Sequence, residues 1–232
     1  MQEKIIITGS EGLIGKNMVR LFEDYGYEVI KCDIRLGHNL GNEQFVKEYF
    51  ALNKAPYLLN LFAYNDHIGD GESTNNLFDI ELESFQKYMT INLTALFSVC
   101  REYARNNSFG SIVNVSSLYS SLSPDPLLYK ESVFDKKEKH IAYGVSKAGV
   151  EQMTRHLAAH LAPNIRVNCV APGGVKEESQ PRSFVDKFSD KTPLSRMMSA
   201  EELFGIFRYL CSSESSYTTG SVLKINGGYG CT

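Results

Sequence analysis

Tyr143 and Lys147 lie four residues apart in AYGVSKAGVEQMTRHLAAHL, residues 142–161, a stretch without proline and rich in helix formers. Val145, Gly149, Met153, Leu157 and Leu161 recur at the spacing of one helix face, which predicts a buried helix. On such a helix the phenol and the ammonium stand one turn apart on a common face. A free phenol titrates near pH ~10, and a fixed positive charge beside it favours the phenolate, so the pair is suited to acid–base work near neutral pH. A surface Tyr and Lys at chance spacing would look the same in isolation, so the rest of the chain has to decide.

Three other groups of residues bear on that decision. Lys4-Ile-Ile-Ile-Thr8 reads as a strand, and it runs into Gly9, Gly12 and Gly15 ahead of a helical pattern that begins at Lys16. Strand, glycine turn and helix in that order let the backbone approach a pyrophosphate at a helix N-terminus. A second strand, 28–33, ends on Asp33, eighteen residues after Gly15. A carboxylate there can accept hydrogen bonds from ribose hydroxyls and repels a 2′-phosphate, which favours NAD; Arg35, two residues on, could instead bind that phosphate and admit NADP. Finally, the apolar strand 111–117 ends in Ser116 and Ser117, at the strand terminus where ligands gather in an open parallel sheet.

Further strands are expected at 57–63, 165–171 and 221–225, with helices at 43–53 and from Ser199 to Cys211, where Ser199-Ala-Glu-Glu202 has capping-box form. The region 80–107 reads as a long helix interrupted by Asn92, a polar residue that must find partners if buried. Residues 36–42 are too few for a full helix and strand, so the crossover there is abbreviated. The segments 64–79 and 175–198 are polar, the first a rim or solvated loop and the second a substrate loop. These elements imply one α/β domain over residues 1–232, a Rossmann-like, doubly wound, mostly parallel sheet of about seven strands with helices on both faces.

Composition narrows the function classes. The 232 residues carry a net charge of −3, which gives no general reason to bind nucleic acid or an anionic membrane. The five cysteines are scattered with no CxxC pair, which fits reduced thiols rather than a disulfide framework or a zinc site. His156 and His160 are four apart but lack a third ligand, so no metal is expected. No leader and no membrane span are expected, and a soluble, cytoplasmic protein is.

Together, Thr8-Gly-Ser-Glu-Gly-Leu-Ile-Gly15, Asn92 in INLTALF, Ser117 in GSIVNVSS, Tyr143-Gly-Val-Ser-Lys147, Ile165 through Pro172-Gly173 and the terminal Gly220 to Asn226-Gly-Gly resemble the short-chain dehydrogenase/reductase family over nearly the whole chain. The resemblance implies an NAD(P)-dependent oxidoreductase. Tyr143 would exchange a proton with the substrate oxygen, and Lys147 would lower its pKa and bind the nicotinamide ribose. Ser117 would hold the substrate oxygen, and Asn92 would anchor a water that links Lys147 to solvent. The dinucleotide would be lined by Gly9, Gly12, Leu13, Ile14, Gly15, Asp33, Asn60, Ala63, Tyr143, Lys147, Pro172, Gly173 and Val175. Homodimers or homotetramers, paired through the Tyr–Lys helix and the one before it, are also implied.

Three departures qualify the resemblance. TGxxGxxG and Asn60-Leu-Phe-Ala63 are closer to the longer, nucleotide-sugar branch of the family, and Glu177 stands where the shorter branch often has Thr. Ser117 and Tyr143 are farther apart than is usual, so 118–141 contains an insertion that would shape the substrate site. Its opening, SSLYSSLSPDPLLY, is similar to dehydrogenases of bacterial surface and flagellar glycan synthesis, including those linked to legionaminic-acid-type sugars. The substrate is expected to be a secondary alcohol or ketone, such as a sugar or sugar phosphate; a polyol or amino sugar would suit a polar loop carrying Asp66, His67, Asp70, Lys130 and Lys136, although these residues would equally serve a solvated loop. Two alternatives stand beside the oxidoreductase. One is a nucleotide-sugar epimerase or dehydratase that retains its NAD, disfavoured because the chain ends soon after Asn226. The other is a non-catalytic dinucleotide sensor or scaffold, which would have little reason to keep Ser117, Tyr143, Lys147 and Asn92 together.

Overall fold

The computed structural model describes residues 2–65, 77–130 and 139–231. Six parallel strands form one sheet in the order β2-β1-β3-β4-β5-β6: β1 Lys4–Thr8, β2 Glu28–Cys32, β3 Tyr57–Asn60, β4 Gly110–Val115, β5 Ile165–Pro172 and β6 Val222–Ile225. Among the described residues the sheet therefore has six strands where about seven were expected. The shortfall lies after β2, where a turn of 3-10 helix at Ile34–Leu36 leads to the next helix with no room for a further strand.

The helices are α1 Leu13–Asp24, α2 Glu43–Leu52, α3 Leu82–Met89, α4 Leu96–Asn106, α5 Pro126–Lys130, α6 Ile141–Leu161, α7 Arg182–Asp190 and α8 Phe204–Leu210. Period-two burial along the strands divides the core. Ile6, Leu58, Ile112 and Val167 face α2, α4 and α6, while Ile5, Ile7, Leu59 and Val113 face α1 and α8. Both layers are apolar, as a sheet buried on both faces requires.

Several boundaries differ from the sequence reading. Helix α1 begins at Leu13, directly after Gly12, rather than at Lys16. Strand β3 stops at Asn60, and the chain leaves the sheet before Ala63. The polar stretch 175–198 contains α7, which buries Phe184 and Phe188, and Val175 pairs with Met198 across its base. The capping box at Ser199 and Glu202 is present. The helical region from Leu82 to Asn106 is continuous but passes through a π-helical turn at Thr90–Ala95, centred on the residues around Asn92. Asp66, His67, Asp70 and Lys136 lie outside the described residues, as does the Lys130 side chain.

A chain of buried polar side chains crosses the carboxyl ends of the central strands. Thr8 donates to Asn60 Oδ1 at 3.0 Å, Asn60 donates to Asn114 Oδ1 at 2.9 Å, and Asn114 donates to Thr154 Oγ1 on α6 at 3.0 Å. Thr8, Asn60 and Asn114 are also register partners. Fully satisfied, such a network fixes the sheet and the helix relative to each other; broken, it leaves buried groups unpaired. Asn114→Leu strands the Asn60 amide and the Thr154 hydroxyl, and urea unfolding is expected to show a loss of about 3 kcal/mol.

Candidate active site

The carboxyl ends of the strands open into a cleft of about 620 Å³, lined on one side by Gly9 to Gly15 and Ala63 and on the other by Ser117, Tyr143, Lys147 and Pro172 to Val175. Its position follows from the topology. The chain turns one way from β1 to β2 and the other way from β1 to β3, and the crevice between those two turns is the natural ligand site of an open parallel sheet.

Helix α6 carries Tyr143 and Lys147. Its N-cap is His140, whose Nδ1 accepts from the Ala142 amide at 3.1 Å. Tyr143 and Lys147 follow on the face turned to the end of β4. Lys147 Nζ donates to the Val115 carbonyl at 2.9 Å and stands 5.9 Å from the centre of the Tyr143 ring. Burial lowers the Lys147 ammonium to about 8. Burial also raises the Tyr143 phenol, and a hydrogen bond with Ser117 opposes that rise. The lowering of the phenol expected from Lys147 is therefore not seen in the chain alone; desolvation dominates, and Ser117 is the group that favours the phenolate.

The two serines at the end of β4 divide their roles. Ser116 points into α6, donating to the Lys147 carbonyl at 2.9 Å, with Glu151 Oε1 at 3.2 Å. Ser117 faces the cleft at the head of a 3-10 turn, its Oγ accepting the Tyr119 amide at 3.2 Å. The second serine, as expected, is the one beside Tyr143.

At the other end, Gly9 has φ +68°, and a Cβ there would lie 2.5 Å from the Phe62 amide nitrogen. A Cβ on Gly15 would lie 2.0 Å from the Gly9 carbonyl oxygen. The turn can close only without those side chains, and it leaves the start of α1 with no side-chain cap and its first amides free to meet an anion. Asp33 is 7% exposed at the end of β2, with Oδ2 accepting from the Glu11 amide at 3.0 Å and Oδ1 from the Arg35 amide at 2.8 Å. Arg35 Nη1 donates to the Glu11 carbonyl at 2.5 Å. A cradle with no room for side chains, a bare helix N-terminus and an oriented carboxylate fit a dinucleotide.

Leu13, Ile14, Ala63, Pro172, Gly173 and Val175 all line the cleft, as does Glu177. Asn60 does not. Its side chain is 2% exposed and is spent on Thr8, Asn114 and Cys100, so it is part of the sheet interior and not a cofactor contact. Asn92 is likewise inside: its Oδ1 accepts from the Tyr64 amide at 2.7 Å, and its Nδ2 donates to the Tyr64 carbonyl and to Ser146 Oγ, each at 3.0 Å. Both amide hydrogens are committed, so the side chain fastens the exit of β3 to α6.

Lys139 and Asn65 also line the cleft and were not singled out from sequence. Lys139 Nζ hydrogen-bonds Asn65 Oδ1 and lies 4.5 Å above the Tyr143 ring centre. Its place four residues before Tyr143, mirroring Lys147 four after, was the available signal. His156 and His160 stack on the outside of α6, and no group of three metal-binding side chains occurs among the described residues.

A family model described as enoyl-(acyl carrier protein) reductase matches residues 4–230. The 3-oxoacyl-[acyl-carrier-protein] reductase FabG of Thermotoga maritima is 32% identical, over 96% of this chain and 96% of its own. An uncharacterized short-chain type dehydrogenase/reductase of Sinorhizobium fredii is 32% identical over 97% of this chain, which spans 43% of that longer protein. Among solved structures, a short chain dehydrogenase from Leptospira borgpetersenii with bound NAD+ has 27% identity and a TM-score of 0.85, covering 99% of this chain and 93% of its own. With a match from end to end and the serine, tyrosine and lysine gathered at one cleft, the chain belongs to the short-chain dehydrogenase/reductase family of oxidoreductases.

Proposed function

We propose that the chain is an NAD(H)-dependent oxidoreductase interconverting a secondary alcohol and a ketone, with Ser117, Tyr143 and Lys147 as its catalytic residues. The observation that carries this reading is their convergence in the cleft that the Gly9–Gly15 cradle opens onto. Gly9, Gly12, Gly15 and the start of α1 would hold the pyrophosphate, Asp33 the adenosine ribose, and Lys147 the nicotinamide ribose. The bound nicotinamide supplies or accepts the hydride. Ser117 orients the substrate oxygen, and Tyr143, kept protonated by burial, gives it a proton in the reductive direction and takes one back in the oxidative. NAD is favoured over NADP because Asp33 presents its carboxylate where a 2′-phosphate would lie, while the Arg35 guanidinium is turned onto the Glu11 carbonyl.

For substrate, the lining combines rings with polar groups. Tyr119, Tyr129 and Phe184 stand beside Gln180, Asn65 and Lys139, a mixture suited to the C–H faces and hydroxyls of a sugar or other polyol. The polar rim invoked from sequence lies outside the described residues, so this lining is what supports the sugar reading. A homo-oligomer paired through α4 and α6 is part of the proposal, since Phe97 and Val145 are exposed on those helices. A cytoplasmic location accords with five cysteines that form no disulfide.

Three outcomes are expected. Tyr143→Phe abolishes turnover, while calorimetric titration with NADH gives an affinity within about threefold of wild type; loss of NADH binding would show the phenol to be a structural or cofactor group. The wild type binds NADH in preference to NADPH, and Asp33→Asn narrows the gap by about tenfold or more; an unchanged ratio removes Asp33 from the ribose site. The third concerns pH. Lys147 titrates near 10.5 when unfolded and at about 8 when folded, so between those values the unfolded chain holds more protons and stability rises with pH. Relative to Lys147→Met, the cofactor-free wild type is expected to gain roughly 2 kcal/mol between about pH 7 and about pH 9.5 in urea unfolding.

A further inference from the structure

Two of the side chains by which the insertion between Ser117 and Tyr143 lines the cleft are tyrosines that touch each other. Tyr129 on α5 donates its phenol hydrogen to Tyr119 Oη at 3.0 Å, and both residues are buried, 5% and 8% exposed. They belong to a third hydrophobic cluster, separate from the two layers on the sheet, that joins the insertion to α7 through Leu118, Leu128, Phe184, Phe188 and Met197. The Lys191–Asp125 ion pair at 2.6 Å ties the end of α7 to the start of α5. Both tyrosines line the cleft.

Tyr119 is held from three sides. Its amide donates to Ser117 Oγ, its carbonyl lies so close to α6 that a Cβ on Gly144 would come within 2.9 Å of it, and its phenol accepts from Tyr129. The phenol is near enough to Tyr143 and Tyr229 for their charge to bear on it. With Tyr129 as the donor in the pair, the Tyr119 hydrogen is unspent, and no acceptor for it occurs among the described residues. A buried hydroxyl that lines a cleft with a hydrogen to give is a group that costs free energy until a ligand accepts from it.

We infer that Tyr119, two residues beyond Ser117 and fixed by Tyr129, is a specificity-determining residue that donates a hydrogen bond to a second oxygen of the substrate, on a carbon next to the one that reacts. The inference rests on the oxidoreductase reading above. It selects hydroxyketones and vicinal diols over simple ketones and alcohols, because a substrate lacking the second oxygen offers the phenol hydrogen no acceptor. Tyr129 acts through Tyr119 as a positioning residue: it occupies the acceptor face of the Tyr119 oxygen and so directs the remaining hydrogen into the cleft.

The test compares two matched probes, 3-hydroxy-2-butanone and 2-butanone, with NADH as reductant, in wild type, Tyr119→Phe and Tyr129→Phe. The wild type is expected to prefer the hydroxyketone in kcat/KM by about tenfold or more, and Tyr119→Phe to collapse that ratio about tenfold, whichever way the absolute rates move. Tyr129→Phe should lower the ratio in the same direction by a smaller factor. A ratio that stays within about twofold in Tyr119→Phe overturns the inference, even if both rates fall, since a merely structural tyrosine would affect both probes alike. If neither probe turns over, calorimetric titration of both into the protein–NADH complex reads the same ratio from binding, and equal or absent binding of the two by wild type overturns it. Failure of NADH itself to bind is the separate result that defeats the oxidoreductase reading and this inference with it.

Discussion

Helix α6 is fastened to the end of β4, and everything at the cleft depends on that junction. The Lys147 ammonium donates to the Val115 carbonyl, Ser116 donates back to the Lys147 carbonyl, and about two turns further along Thr154 accepts from Asn114. Each contact joins the same helix to the same strand, so the distance from the strand end to the Tyr143 ring is fixed by three hydrogen bonds rather than by packing alone. The cost is visible in Lys147. Its charge is buried at 5% exposure, with a backbone carbonyl as its partner and no paired carboxylate among the described residues, which is why the ammonium falls to about 8. A site that had been selected for stability would place an apolar side chain there.

The same logic extends to the other side of α6. Asn92 sits in the π-helical turn between α3 and α4, and its side chain clamps the backbone of Tyr64 as β3 leaves the sheet while also reaching Ser146 on α6. Ser146 in turn donates to the Tyr143 carbonyl. The widened turn is thus found where one buried amide has to serve two neighbouring elements at once, and π turns often mark such places. Two polar networks, Asn60–Asn114–Thr154 and Tyr64–Asn92–Ser146, therefore hold α6 from β3 and β4 by different routes. Neither contains a group that touches the cleft with its side chain, yet both set where Tyr143 stands.

These networks explain what the sequence does and does not disclose. Tyr143, Lys147, Ser117 and the glycines are legible because their chemistry constrains local spacing: one helical turn, one strand end, one turn without side chains. Asp33 is legible for the same reason. Asn60 and Asn92 are visible as polar residues in apolar runs, but their partners come from strands and helices up to 54 residues away, so burial could be anticipated and purpose could not. The seventh strand was inferred from the usual architecture and is absent because 34–42 holds only a 3-10 turn before α2. The 118–141 insertion reads from sequence only as an element that would shape the substrate site, with no indication of what it packs on. Its first half carries Leu118, Tyr119, Leu128 and Tyr129 into a hydrophobic cluster with Phe184 and Phe188, which no local pattern announces because the partner rings lie more than fifty residues on.

The position of that cluster has a consequence for how the cleft divides its work. The dinucleotide end is built from backbone: glycine turns, a helix start and a carboxylate aligned by two amides, all on elements of the sheet. The other end is lined by side chains of two segments, 118–130 and 182–197, that contribute no strand and share one hydrophobic cluster. The reacting groups stand where the two parts meet. Ser117 lies two residues past the end of β4 and caps the first turn of the insertion, so it stands where the sheet meets the lining above it.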